Sequence, residues 1–170
     1  DDNVRISIGN EYLDYDQVVL ACHADQSLNI LNDPSSKEKE ILNKFTYVSN
    51  RAFLHTDENL MPSRKKAWSS WNSITKDSKT CITYWLNKLQ NLKTNKNYFL
   101  TLNPVAEVEE NKVIKQEKFT HPYFNNENVS LQKDLHLLQG KKRTWFCGSY
   151  FGYGFHEDGL KSSLKLLEKF

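Results

Sequence analysis

The chain has 170 residues, 38% hydrophobic and 12% aromatic, enough for a real core in one domain of ordinary size or a little more. Its 23 basic and 21 acidic residues leave a formal charge of +2, which argues against nucleic acid as a partner, since such binders carry a basic stripe. No apolar stretch nears the roughly 20 residues needed to span a bilayer, no signal peptide is visible, and three cysteines without a CxxC spacing fit a reducing, cytoplasmic compartment better than a disulfide framework.

The sequence opens on Asp1 rather than Met, as expected of a piece of a longer protein. "VRISIGNEYLDYDQVVLAC" reads as strand, turn, strand, strand, with Val4, Ile6 and Ile8 alternating and Gly9-Asn10 as the turn. The apolar run Gln17–Cys22 fits a strand buried on both faces, as in a parallel α/β sheet. "DQSLNILND" predicts a short helix capped by Asp25, and "SSKEKEILNKF" a better one capped by Ser35 or Ser36, with Ile41, Leu42 and Phe45 on its apolar face. From Thr46 the pattern turns to β. "YVSNRAFLHT", "AWSSWNSI", "TCITYWLN", "YFLTLNP" and Val113–Pro122 are five strands, simplest as antiparallel neighbours, with polar connectors between them. The "SRKK" run at Ser63–Lys66 reads as a solvated turn rather than a phosphate site. Ser130–Gly140 predicts a helix with Ser130 near its N-cap and Gly140 at C′. "TWFCG" is a short strand, and a last helix spans Glu157–Phe170.

The stretch "FGYGFHEDGL" before that helix is the densest cluster of glycine and polar residues. The first N–H groups of a helix have no intrahelical partner and lie at its positive end, so they suit an electron-rich oxygen. Glycines at 148, 152, 154 and 159 would let a ligand lie against backbone. Equally, Glu157 and Asp158 favour the helix dipole without any ligand, and Gly159 can serve close packing alone. Glu157 stands where a G-x-G-x-x-G fingerprint needs glycine, and a carboxylate there repels a pyrophosphate. A ligand at this place should present a neutral, polarisable carbonyl or ring.

From "TWFCGSYFGYGFHEDGLKSSLKLLEKF" the chain resembles the C-terminal portion of the flavin-containing amine oxidase superfamily, and in particular its bacterial group of predicted NAD/FAD-binding proteins. The likeness continues through "YDQVVLACHADQSLNIL", "NRAFLHTDENLMP", "AWSSWN", "TYWLNKLQNL" and "LTLNP" and so covers nearly the whole chain. It implies an α+β fold: an antiparallel β-rich substrate lobe with helices (25–140), and the closing elements of an FAD-binding lobe (1–24 and 141–170). It implies that Gly148, Ser149, Gly154, Phe155, His156, Glu157, Asp158, Gly159 and Leu160 lie at the cofactor, with backbone around Asp158–Leu160 facing the flavin N1–C2=O edge. Ser149 departs from the family's Gly-Glu or Gly-Asp pair, which weakens the contact to the ribityl chain. The strand–GxGxxG–helix unit is absent, so a missing N-terminal half is the implied partner and FAD binding by this chain alone is expected to be weak or absent.

Among the remaining residues, Trp71, Asn72, Tyr84 and Trp85 are candidates to line a pocket for an apolar or amine-like small molecule, or to be core and edge packing. Tyr84 and Trp85 point to opposite sides of their strand, so at most one lines any given pocket. His23-x-Asp25 and His156-Glu157 lack the i, i+4 spacing of a zinc motif, and no metal is expected. No nucleophile–base arrangement stands out, so no catalytic residue is assigned. The leading expectation is the C-terminal portion of an FAD-dependent oxidoreductase that passes a hydride from substrate to flavin. The alternative is a non-enzymatic module for an apolar ligand or a protein.

Overall fold

In the computed structural model, which describes residues 3–169, the chain is α+β and divides into two compact units. Chain up to Tyr47 and from Pro122 onward forms the terminal unit, and Val48–His121 forms the central unit. Phe170, the expected end of the last helix, and Asp1 and Asp2, the start of the expected 1–24 segment, lie outside the described residues.

The terminal unit opens with the hairpin β1 (Val4–Ile8) and β2 (Glu11–Tyr15). Gly9 takes φ +61° at its turn, where a side chain would be strained. Arg5 and Asp14 face each other across the pair at 2.8 Å. Strand β3 (Val18–Leu20) then pairs in parallel with β9 (Thr144–Phe146). Helices α1 (Ala24–Ile30), α2 (Ser36–Leu42) and α4 (Asn126–Leu131), with a 3₁₀ segment over Gln132–Leu138, belong to the same unit. Its core joins Leu20, Ala24, Ile41, Leu42, Leu135, Leu138, Phe146 and Tyr150.

Several local expectations are corrected. The cap of α1 is His23, not Asp25: the Gln26 side chain reaches back to accept the His23 N–H at 3.2 Å, while Asp25 accepts only the N–H of its neighbour Gln26. Ser130 is no cap. The helix begins five residues earlier, where Asn125 and Asn128 cap each other reciprocally at 2.9 and 3.0 Å, and its second half tightens to 3₁₀. Val19 is 40% exposed, so β3 is buried on one face only. Ser35 caps α2 as expected, bonding the Glu38 N–H at 3.2 Å while the Glu38 carboxylate accepts the Ser35 N–H at 2.6 Å. Gly140 holds φ +71° just past the 3₁₀ segment, the left-handed position expected of it.

Among the described residues only one edge of β9 carries a strand. Along the other, the Gln139 amide accepts the Phe146 N–H and donates to the Phe146 carbonyl, both at 3.0 Å, and Gly140 donates to Thr144. A glutamine side chain there stands in for a neighbouring strand.

The central unit is a five-stranded sheet built from β4 (Thr46–His55), β5 (Trp71–Lys76), β6 (Lys79–Trp85), β7 (Phe99–Leu102) and β8 (Val113–Tyr123). The strand order is β5-β6-β7-β4-β8, and the β5/β6, β6/β7 and β4/β7 pairs are antiparallel. Asp77 and Ser78, both at positive φ, close the β5–β6 hairpin in two residues, as polar turn residues tolerate. A four-residue helix, α3 (Leu86–Leu89), follows β6.

Candidate functional site

The last helix, α5 (His156–Leu167), begins one residue before its expected start. Its first turn lies on the loop that follows β9. The Gly148 N–H donates to Ser162 Oγ at 2.9 Å, Ser162 donates to the Gly159 carbonyl at 2.7 Å, and a Cβ on Gly159 would sit 3.8 Å from the Ser149 nitrogen. The loop is folded on itself. Ser149 accepts from the Gly152 and Gly154 N–H groups, and the Asp158 carboxylate accepts the Tyr153 and Phe155 N–H groups, both at 3.0 Å. Asp158 therefore works as the third-position carboxylate of a helix cap.

This accounts for three of the four glycines without a ligand. A Cβ on Gly152 would come within 2.3 Å of the Asp158 carboxylate, one on Gly154 would meet Phe124 at 3.0 Å, and one on Gly148 would meet Tyr150 at 3.0 Å and the Cys22 carbonyl at 3.2 Å. Asp158 and Gly159 also donate their N–H groups to the Phe155 carbonyl. The backbone donors left at the tip of α5 are those of His156 and Glu157, which make no hydrogen bond among the described residues, rather than those of Asp158–Leu160. The tip is not plugged by core: Phe155 is 69% exposed and Leu160 55%, and His156 and Glu157 are exposed too.

Among the described residues the buried His23 Nδ1 near this loop makes no hydrogen bond, and the Tyr150 hydroxyl reaches only Ser27. The His23 ring stacks on Tyr47 at 4.4 Å. The Tyr47 hydroxyl accepts the Ala24 N–H at 2.8 Å, and burial pushes its phenol up to about 12. Burial drives the Tyr150 phenol upward as well. Both phenols are therefore neutral, and neither serves as a base near neutral pH. Cys22 and Cys147, which follow β3 and β9, are free thiols, with Cys22 Sγ 3.3 Å from Ser27 Oγ.

In the central unit the four candidate substrate residues separate by strand alternation. Trp71 and Tyr84 are direct cross-strand partners on one face, Trp71 54% exposed and Tyr84 half-buried, with Ile82, Leu100 and Leu102 beside them. Asn72 and Trp85 belong to the other, buried face. Asn72 ties the chain before β5 to β6: it accepts the Ser69 N–H and donates to the Ser69 and Thr83 carbonyls, so its amide is spent on the protein. Trp85 lies edge-on to Trp68 at 5.3 Å and donates to Asn97 at 3.0 Å.

That buried face carries a polar chain which the sequence reading missed. His55 Nδ1 accepts the Asp57 N–H at 3.1 Å, so the ring proton sits on Nε2 and points at Thr101 Oγ1, 2.7 Å away. Thr101 lies 2.8 Å from Thr83 Oγ1, and Thr83 donates to the Leu60 carbonyl. His55, Thr83 and Thr101 are fully buried. Burial holds the His55 imidazole below its usual range, against the pull of Asp57. The legible signal was polar residues at inward positions of otherwise apolar strands. A groove of about 400 Å³ also opens in this unit, lined by Arg51, Phe53, Pro104, Val105, Glu107 and Val108 among others, and by none of the four candidates. Among the described residues no group of three or more His, Cys, Asp or Glu could hold a metal ion, and no helix is long and apolar enough to cross a membrane.

No family model matches the chain, and no curated protein matches it. Solved structures do share its fold. The CLA-producing fatty acid isomerase from P. acnes superposes with a TM-score of 0.66 at 13% identity, over 100% of this chain and 45% of that one. A protein from Exiguobacterium sp. 255-15 assigned by name as a protoporphyrinogen oxidase superposes with a TM-score of 0.61 at 12% identity, over 99% of this chain and 44% of that one. At these identities the likeness is one of fold, and the chain spans less than half the length of either enzyme.

Proposed function

We propose that this chain is the C-terminal portion of an FAD-dependent oxidoreductase of the amine-oxidase type, working in the cytoplasm with a complementary N-terminal half. One observation carries the reading: a solvent-open helix N-terminus with two uncommitted N–H groups, lying on the loop after a parallel strand, in a chain that superposes over 100% and 99% of its length on less than half of two longer solved structures. Ligands of open α/β sheets bind beyond the carboxyl ends of parallel strands, where this helix tip lies.

The residues fit such a cofactor at the tip and fit it poorly one step earlier. The His156 and Glu157 N–H groups suit a carbonyl edge that gains negative charge, and His23 Nδ1 is a buried polar atom for which the described residues give no hydrogen bond. Ser149, by contrast, offers no carboxylate for a ribityl hydroxyl. When bound, FAD would supply the hydride acceptor; the chain's own residues orient and stabilise. Asp158 holds the loop so that the tip stays open. Trp71 and Tyr84, on the exposed face of the sheet, would line the site of an apolar or amine-like substrate, while Asn72 and Trp85 would support it from the buried side. Free Cys22, Cys81 and Cys147 favour a reducing compartment.

The test is an FAD titration of the chain joined to its complementary half, followed by anaerobic addition of amines and unsaturated lipids. Visible flavin absorption that bleaches with substrate supports the reading. A colourless protein that binds no FAD removes it.

A further inference from the structure

We propose that the groove beside Phe53 in the central unit binds a short apolar peptide with both termini free, a dipeptide in size, its carboxylate on Arg51 and its ammonium on Glu107. The groove belongs to the sheet face that carries Phe53, Thr101 and Thr83 as cross-strand neighbours. Trp71 and Tyr84 lie on the opposite face, so this place is separate from the substrate residues assigned above, and the flavin reading does not enter. Phe53, 5% exposed, gives the groove an apolar floor, with half-buried Val105 and Val108 beside it. Its volume of about 400 Å³ falls at the small end of the range of ligand sites, about 300–1,000 Å³. One wall is Pro104–Val108, a stretch without helix or strand that is braced at both ends. Before it, Asn103 donates its N–H to the Arg51 carbonyl at 2.8 Å, accepts the Arg51 N–H on its side-chain oxygen at 3.0 Å, and donates its amide to Asn50 at 2.7 Å. After it, the Glu109 N–H donates to the buried Asp57 carboxylate at 3.1 Å. Both ends of the wall are thus fixed by the protein, and the groove is formed before any ligand arrives.

The charges choose the occupant. The Arg51 guanidinium lies over the Phe53 ring at 5.0 Å and, among the described residues, makes no hydrogen bond or ion pair. Stacking holds a guanidinium in place while leaving its donor fork free for a carboxylate. The Glu107 side chain is likewise uncommitted among the described residues, whereas the Glu109 carboxylate is spent on Asn59 and Lys112. A ligand with a carboxylate alone would meet repulsion from Glu107, and one with an ammonium alone would meet it from Arg51. A molecule that carries both charges on an apolar body answers Arg51, Glu107 and Phe53 together, and free peptide termini are captured by contacts of this kind. The size follows from the walls. An amino acid holds its two charges on one carbon, whereas Arg51 and Glu107 stand on a strand and on a loop and do not pair with each other.

The probe is leucyl-leucine, titrated into the isotope-labelled chain while the backbone amide shifts are followed. Expected are saturable shifts centred on Val105–Val108, with a Kd of about 1 mM or below. N-acetyl-leucyl-leucine, which lacks the ammonium, leucyl-leucine amide, which lacks the carboxylate, and free leucine should each bind about tenfold more weakly. These three comparisons need no variant and so do not depend on one folding. Arg51→Gln and Glu107→Gln should each weaken leucyl-leucine about tenfold. Glu107 is exposed, so its variant should leave the urea midpoint unchanged. No saturation at roughly ten times the expected Kd, shifts centred elsewhere, a blocked form or free leucine that binds as tightly, or indifference to either variant overturns the proposal.

Discussion

Thr101→Val probes the buried hydrogen-bond chain of the central unit with almost no change of shape. The hydroxyl accepts from His55 Nε2 and donates to Thr83. Removing it breaks two hydrogen bonds, each worth about 1 kcal/mol net, and strands the His55 N–H in a fully buried site, which alone costs about 1–3 kcal/mol. The expected loss is about 3–5 kcal/mol, against a total of about 5–15 kcal/mol for an ordinary domain. Urea unfolding followed by tryptophan fluorescence reads it well, because Trp68, Trp71 and Trp85 all lie in this unit. Thr101→Ser keeps the hydroxyl and should recover most of the loss. Thr83→Val strands the Thr101 hydroxyl in turn. The double variant removes that orphan together with the shared bond, so its cost should fall short of the sum by about 1–2 kcal/mol. Additivity within about 0.5 kcal/mol, or a Thr101→Val cost below that, would show that the chain is not a connected relay.

The same site gives a pH dependence. His55 is held below its usual range in the folded state, so stability is complete above about pH 6.5 and declines as pH falls below it, until the folded imidazole also protonates; His55→Gln should flatten that decline in urea midpoints taken across the range. Tyr47→Phe leaves the Ala24 N–H without its acceptor, which should cost about 1–2 kcal/mol in thermal unfolding, and in the unaltered protein one phenol should ionise only near pH 12 in an ultraviolet titration. Gly152→Ala drives a Cβ into the Asp158 carboxylate and should displace it, exposing the Tyr153 and Phe155 amides to faster hydrogen exchange. Trp85→Ala should cost at least about 2 kcal/mol through lost packing on Trp68, whereas Trp71→Ala should stay within about 1 kcal/mol and act on substrate affinity in the assembled protein; the reverse ranking would exchange their assigned roles.

Local chemistry made much of the fold readable. Period-two alternation and the Gly9-Asn10 turn located the first hairpin, polar connectors separated the later strands, and the serine cap announced α2. Two helix starts were misplaced because several cap-competent residues stood close together. His23 beat Asp25 through the reach of the Gln26 side chain, and Asn125 beat Ser130 through its reciprocal bond with Asn128. What lay beyond reach was long-range. That β4 sits between β7 and β8, and that β3 runs parallel with β9, depends on pairings over a hundred residues apart in the second case. The sorting of Trp71 and Tyr84 from Asn72 and Trp85 needed the register, although alternation had already set Tyr84 and Trp85 apart. At three positions of the glycine cluster packing also requires glycine: the neighbours that forbid a Cβ are Asp158, Phe124 and Tyr150, and only folding brings them there.

The amide of Gln139 has a consequence for solubility. Stacking of sheets end to end into filaments requires two receptive borders per molecule, one to give and one to take. Here a single side chain has sealed one border, so whatever joins the other terminates the series, and a chain made in excess can at worst pair off instead of polymerising through this sheet.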